Sequence, residues 1–131
     1  MHPRYSHLIN CLTALHFHPY EMTAANHDAW IARISHLPYM NAVAMMHVYD
    51  AVSPEIVGPG FYDHTRVAAA GSEWGVDICR YNRAAILESI SELESRLSQL
   101  KSVLQSDDYT SLSQQFVYAK TLRSRLDNKG H

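Results

Sequence analysis

The chain of 131 residues is poor in cysteine: only Cys11 and Cys79, far apart and without ligand-like spacing. That argues against a disulfide framework and makes a reduced, cytoplasmic setting the expectation. No apolar run approaches the roughly 18 residues that a membrane-spanning helix needs. The N-terminal stretch MHPRYSHLIN has no cationic start leading into an apolar run, so no secretory leader is expected. Charge of one sign is also scarce. The formal net charge is −2 and no basic stripe is present, which excludes the usual nucleic-acid footprint. Glycine numbers five, and none opens a strand–turn–helix cradle for a dinucleotide or a phosphate loop. No strand alternation, internal repeat or low-complexity segment competes with a helical reading.

What is present reads as one all-helical domain over 1–131, long enough to bury a core. Leu8, Ile9, Leu12 and Leu15 predict a first helix within Tyr5 to Phe17, stopped by His18-Pro19. Thr23 is the expected N-cap of a second helix, with Trp30, Ile31 and Ile34 as its apolar face. Pro38 interrupts, and the pattern resumes through Met40, Val43 and Met46; a kinked helix and two abutting helices both fit. Ser53-Pro54 and Gly58-Pro59-Gly60 bracket a loop. A short helix is expected over Tyr62 to Ala70. Gly71-Ser72 breaks it, with Ser72 as the next cap, and a long helix then runs from Glu73 to about Gln105, with room for a bend. In it Ile86, Ile90, Leu93, Leu97, Leu100 and Leu104 follow a 4,3 heptad spacing. That seam suits a core helix of a bundle or a helix–helix interface. Ser106-Asp107-Asp108 turns into a last helix bearing Leu112, Phe116, Ala119, Leu122 and Leu126, completing a helical hairpin. Asp127 to His131 reads as a frayed tail.

The segment GPGFYDHTRVAAAGSEWGVDICRYNR, 58–83, concentrates the chemistry. On a helix Asp63 and Arg66 share one face. An arginine steadied by a carboxylate offers a planar fork for bidentate capture of an organic acid. A surface ion pair beside a core tryptophan, Trp74, is the plain alternative. Histidine is abundant at nine, His2 and His131 among them. None forms the helical pair with an intervening acid that marks a zinc protease, and the His16–His18 pair chelates well only on a strand.

Three strings stand in one order: His27-Asp28, then Ser35-His36-Leu37-Pro38-Tyr39, then Gly58 to Arg83. This resembles the C-terminal helical domain of the prephenate and arogenate dehydrogenases of tyrosine biosynthesis. That family shows HD, SHLPH, GGGFxDxTRxA, a tryptophan followed by an acid, and a later asparagine; here the last three are Trp74, Asp77 and Asn82. The likeness runs from about Leu15 to Arg125. It implies an intertwined dimer whose helical domain closes a substrate site, with the nucleotide domain on a separate segment or chain. By resemblance, Arg66 binds a substrate carboxylate, Asp63 orients it, His36 lies near the substrate, and Trp74, Tyr39 and Gly60 join them in the substrate-binding set. The departures are Tyr39 for the family's second histidine, Pro59 for its middle glycine, and an Arg66–Trp74 interval about one residue short.

Cofactors carry hydride chemistry, so NAD(P) is expected only with a separate Rossmann domain and none with this chain alone. Three readings follow. The first is a substrate-binding and dimerisation domain for a cyclohexadienyl or aromatic acid, forming a homodimer and working with a separate nucleotide-binding chain. The second is a stand-alone, cofactor-independent decarboxylase, isomerase or cyclase, motivated by the start at Met1, with His36 and His64 as acid–base candidates. For both, a structural or exposed histidine is the plain alternative. The third is a non-catalytic helical dimer or aromatic amino acid sensor, motivated by the heptad seam. A metal, a nucleic acid and a membrane are not expected as partners.

Overall fold

A computed structural model describes residues 5–49 and 53–127; His2, His131 and the tail beyond Asp127 lie outside the described residues. The fold is all-α, and the described residues contain no strand. The helices are α1 (Ser6–Ala14), α2 (Ala24–Ile31), α3 (Leu37–Tyr49), α4 (Pro59–Thr65), α5 (Ser72–Tyr81), α6 (Arg83–Gln105) and α7 (Tyr109–Asp127). The chain forms two compact units, Met1–Ile86 and Leu87–His131.

In the first unit, α1 closes with His16 in the left-handed region at φ 63°. Phe17 N–H reaches Leu12 O at 3.0 Å and His16 N–H reaches Thr13 O at 3.0 Å, the paired bonds of a Schellman cap. Thr23 caps α2 as expected, its hydroxyl accepting from Asn26 N–H at 3.2 Å. Between α2 and α3 the chain stays helical. It runs through one π-helical turn, Ala32–His36, where Leu37 N–H bonds to Ala32 O five residues back. Pro38 has no N–H to give to the residue four back, and the wider turn absorbs that missing donor.

The π turn also re-phases the helix. The sequence pattern puts Trp30, Ile31 and Ile34 inward, yet Trp30 and Ile34 are exposed and Ala32, His36, Tyr39 and Ala42 form the buried stripe. Trp30 packs instead on Tyr20, ring centres 5.8 Å apart. Small side chains at Ala32 and Ala42, both fully buried, let neighbouring backbone approach. The expected helix over 62–70 is α4 followed by a 3-10 turn, Arg66–Ala69. Thr65 ends α4 by donating its hydroxyl to Phe61 O at 2.7 Å. Ser72 is the first residue of α5 and makes no capping bond; Gly71 occupies the cap position. The single long helix expected from Glu73 is split at Asn82, whose backbone leaves the helical region at φ −120°, ψ 30°.

The second unit is a helical hairpin. Asp107, at φ 52°, turns the chain, with Asp108 N–H on Val103 O and Asp107 N–H on Leu104 O, both at 3.3 Å. Asp108 then caps α7 by accepting from Ser111 N–H at 3.0 Å. The heptad seam on α6 starts buried, Ile86 at 4 %, and ends open, with Leu97 at 53 % and Leu104 at 54 %. On α7 Phe116, Leu122 and Leu126 are all exposed, and no described residue of that helix is buried. No helix of the described residues is long and apolar enough to cross a membrane.

Candidate functional site

Two of the hollows within the first unit are lined by residues singled out in the sequence. The larger is an open cleft of about 520 Å³. Its floor comes from the π turn and the start of α3, through Ile34, Ser35, Pro38 and Tyr39. Its opposite wall is Arg66, Val67 and Ala69 of the 3-10 turn, then Ala70 and Trp74. Arg66 is the first residue of that 3-10 turn and lines the cleft. Tyr39 and Trp74 meet edge to face, ring centres 5.2 Å apart and planes 80° apart, a favourable aromatic arrangement. The short Arg66–Trp74 interval therefore still brings the indole to the guanidinium's side of the fold.

Gly75 makes this packing possible. A Cβ there would lie 2.4 Å from Tyr39 Oη and 3.1 Å from its Cζ. Only glycine leaves room for the phenol, which is 9 % exposed. Sequence reasoning passed over this residue. The available signal was an isolated glycine inside a helical pattern, next to the tryptophan and in a chain where Tyr39 replaces a smaller ring.

Among the described residues no ion pair joins Asp63 to Arg66, and Asp63 is exposed on α4 and absent from the cleft lining. The junction between α4 and the 3-10 turn falls between the two residues. Gly60 sits in the first turn of α4 with open space around it and does not line the cleft.

His36 faces the smaller hollow, of about 240 Å³, together with His27, Asp28, Asp77, Tyr81 and Asn82. Asn82 Nδ2 donates to Asp28 O at 2.8 Å and contacts His36 Nδ1 at 3.3 Å. With the amide donating, Nδ1 is the acceptor and the ring proton sits on Nε2. Burial lowers the His36 pKa from the ordinary 6.5; Asp28 opposes that shift and His27 adds to it. The Asn82 amide thus links the end of α5 to the Asp28 carbonyl of α2 and to the His36 ring of the π turn. His27 and Asp28 pair at 3.1 Å on the exposed rim. His64 is also engaged away from the cleft, its Nε2 lying 2.8 Å from Asn41 Nδ2. That contact ties α4 to α3. Among the described residues no group of three or more acidic, histidine or cysteine side chains is arranged to hold a metal.

The fold defines, first, an all-helical domain in which a π-interrupted helix and a short arginine-bearing turn enclose an aromatic-walled cleft. Residues 23–117 match the family described as "Prephenate dehydrogenase, dimerization domain". The chain belongs to that family. It is 29 % identical over 126 residues to the prephenate dehydrogenase of Bacillus subtilis, a match covering 91 % of this chain and 34 % of that protein. Among solved structures, the Synechocystis arogenate dehydrogenase superposes with a TM-score of 0.85 at 26 % identity, covering 95 % of this chain and 48 % of that one. The prephenate dehydrogenase of A. aeolicus, solved with hydroxyphenyl propionate and NAD+, shares the fold with a TM-score of 0.80 at 23 % identity, over 96 % of this chain and 46 % of the other. This chain thus spans about a third of the length of the curated relative and under half of the solved ones.

Proposed function

We propose that the chain is the substrate-binding and dimerisation domain of a prephenate or arogenate dehydrogenase system, and that its larger cleft binds a cyclohexadienyl or aromatic carboxylic acid. The observation that carries this is Arg66 opening onto a cleft walled by the Tyr39–Trp74 pair. The guanidinium can take a carboxylate in bidentate fashion, and the two rings offer apolar contact to a six-membered ring. Binding and orientation are this chain's share of the chemistry. Hydride transfer needs a nicotinamide, and the described residues, lacking any strand, provide no glycine-rich cradle for one. A nucleotide-binding domain, on the same polypeptide or a separate chain, would supply NAD(P). Its share of length in the relatives beyond this region leaves room for such a domain.

The homodimer belongs to the same proposal. Leu97, Leu104, Phe116, Leu122 and Leu126 are apolar and exposed in a family described by its dimerisation, and a second copy is the natural cover for them. A cytoplasmic setting agrees with two free cysteines, Cys11 and Cys79. The acid–base reading has less support, because His36 faces the other hollow and His64 is engaged by Asn41. Calorimetry with prephenate tests the binding claim. Heat of binding that Arg66→Ala weakens is expected; no heat at millimolar ligand, with variant and wild type alike, overturns it.

A further inference from the structure

Gly75 stands inside α5 with no backbone reason to be glycine. The helix runs on past it from Ser72 to Tyr81, and among the described residues no glycine has a positive φ. Glycine in a helix interior costs stability relative to alanine, so its place there needs another cause. Gly58, Gly60 and Gly71 have open space where a Cβ would stand, whereas at Gly75 that atom would fall 2.4 Å from Tyr39 Oη and 3.2 Å from its Cε1. The same tyrosine stands where the family string has its second histidine. A phenol is longer than an imidazole. At Tyr39 the extra length has two places to go: across the cleft that the ring lines, or back against α5. The missing side chain at Gly75 opens the second.

We propose that Gly75 is a positioning residue for ligand binding: it keeps the cleft open by letting the Tyr39 phenol lie against the α5 backbone instead of across the place of the ligand's ring. The inference deepens the proposed function and rests on it. The atom that meets position 75 is the far end of a side chain, so a methyl group there displaces the phenol more readily than it displaces the helix. Trp74 meets the Tyr39 ring edge to face, centres 5.2 Å apart, and closes one way out. The open side of the ring is the cleft. A phenol pushed that way takes up volume the ligand needs and crowds the approach to Arg66 on the opposite wall. Affinity then falls through overpacking at the site, not through loss of the fold.

Calorimetry with prephenate on the full 131-residue chain tests this, comparing wild type, Gly75→Ala, Tyr39→Phe and the two substitutions together. Gly75→Ala should weaken binding by about tenfold, with helical content and thermal midpoint by circular dichroism close to wild type. Tyr39→Phe removes the oxygen nearest to position 75 and keeps the ring. In that background the same Gly75→Ala change should cost less than about threefold in affinity. A merely structural glycine would move the midpoint and leave the affinity of the folded chain alone. Unchanged affinity in Gly75→Ala, or an equal loss in both backgrounds, overturns the inference while leaving an acid-binding cleft in place. A Gly75→Ala chain that has lost its helical signal overturns it too, because the ring then has found no room in the cleft. No binding by the wild type overturns the proposed function, and the role of Gly75 with it.

Discussion

The buried stripe of the first unit and the leucine seam of α6 are both regular helical patterns, yet they meet opposite ends. Ala32, His36, Tyr39 and Ala42 are covered by their own unit. Leu97 and Leu104, equally well spaced, stand open. Periodicity therefore marks a face without saying what covers it. The covered stripe is made of small and polar residues tied by specific contacts, such as Asn82 to His36 and Tyr39 over Gly75. The open seam is made of leucines, which suit a broad, non-directional contact with another helix. One region carries the proposed ligand chemistry, and the other carries the proposed assembly.

That contrast can be broken experimentally, the largest effect lying in the seam. Leu93→Asp with Leu97→Asp places charge on the proposed interface and should weaken self-association by more than about a hundredfold, since buried unpaired charge costs several kcal/mol. Sedimentation that still shows a folded dimer would remove α6 as the interface. In the first unit, Gly75→Val forces a branched side chain into the Tyr39 ring and should lower stability by about 2–3 kcal/mol, read from the thermal midpoint. Adding Tyr39→Ala should recover much of that loss, because the clash has a named partner. If the double variant is no better than Gly75→Val, the close approach is not what requires the glycine. Arg66→Ala should cost about tenfold to a hundredfold in affinity for an aromatic acid, the range for a charge-assisted bond, while leaving the thermal midpoint nearly unchanged.

Smaller effects sharpen the comparison. Asn82→Ala removes the bond to Asp28 O and the contact to His36, and should destabilise the first unit by about 1–2 kcal/mol. The smallest effect concerns pH. Folding holds the His36 pKa below its unfolded value of 6.5, so the unfolded chain binds more protons in that window. The contribution of this group is complete above pH 6.5 and falls as the pH drops through 6.5 towards the lowered folded value, below which no further loss accrues. Denaturant titrations from pH 7.5 to about 5 should show this slope, flattened in His36→Gln; an identical slope in the variant would assign it to other groups.

Much of the fold was legible from local chemistry. Thr23 and Asp108 announced their helix starts because a cap needs only a side-chain oxygen and the next turn's amides. Arg66, Tyr39 and Trp74 stand out in the sequence by their chemistry and family strings, and the fold gathers them at one cleft. The buried face of the second helical stretch differs from the one its large apolar residues suggest, because Ala32, His36, Tyr39 and Ala42 are covered while Trp30 packs on Tyr20 and stays exposed. The sequence marks Asp63 and Arg66 as neighbours on one face, and the structure adds that the helix type changes between them and that only Arg66 lines the cleft. Gly75 was overlooked because its importance lies in a tyrosine thirty-six positions earlier, a relation that only the tertiary contact reveals.

The wide turn at Ala32–His36 works as an angular offset built into the chain. One residue more or fewer rotates everything after it by about 100° around the helix axis. A deletion there would leave every later residue with its old neighbours in sequence and new ones in space, carrying Tyr39 away from Trp74 and Ala42 out into water. The segment should thus tolerate exchanges of side chain far better than any change in its length.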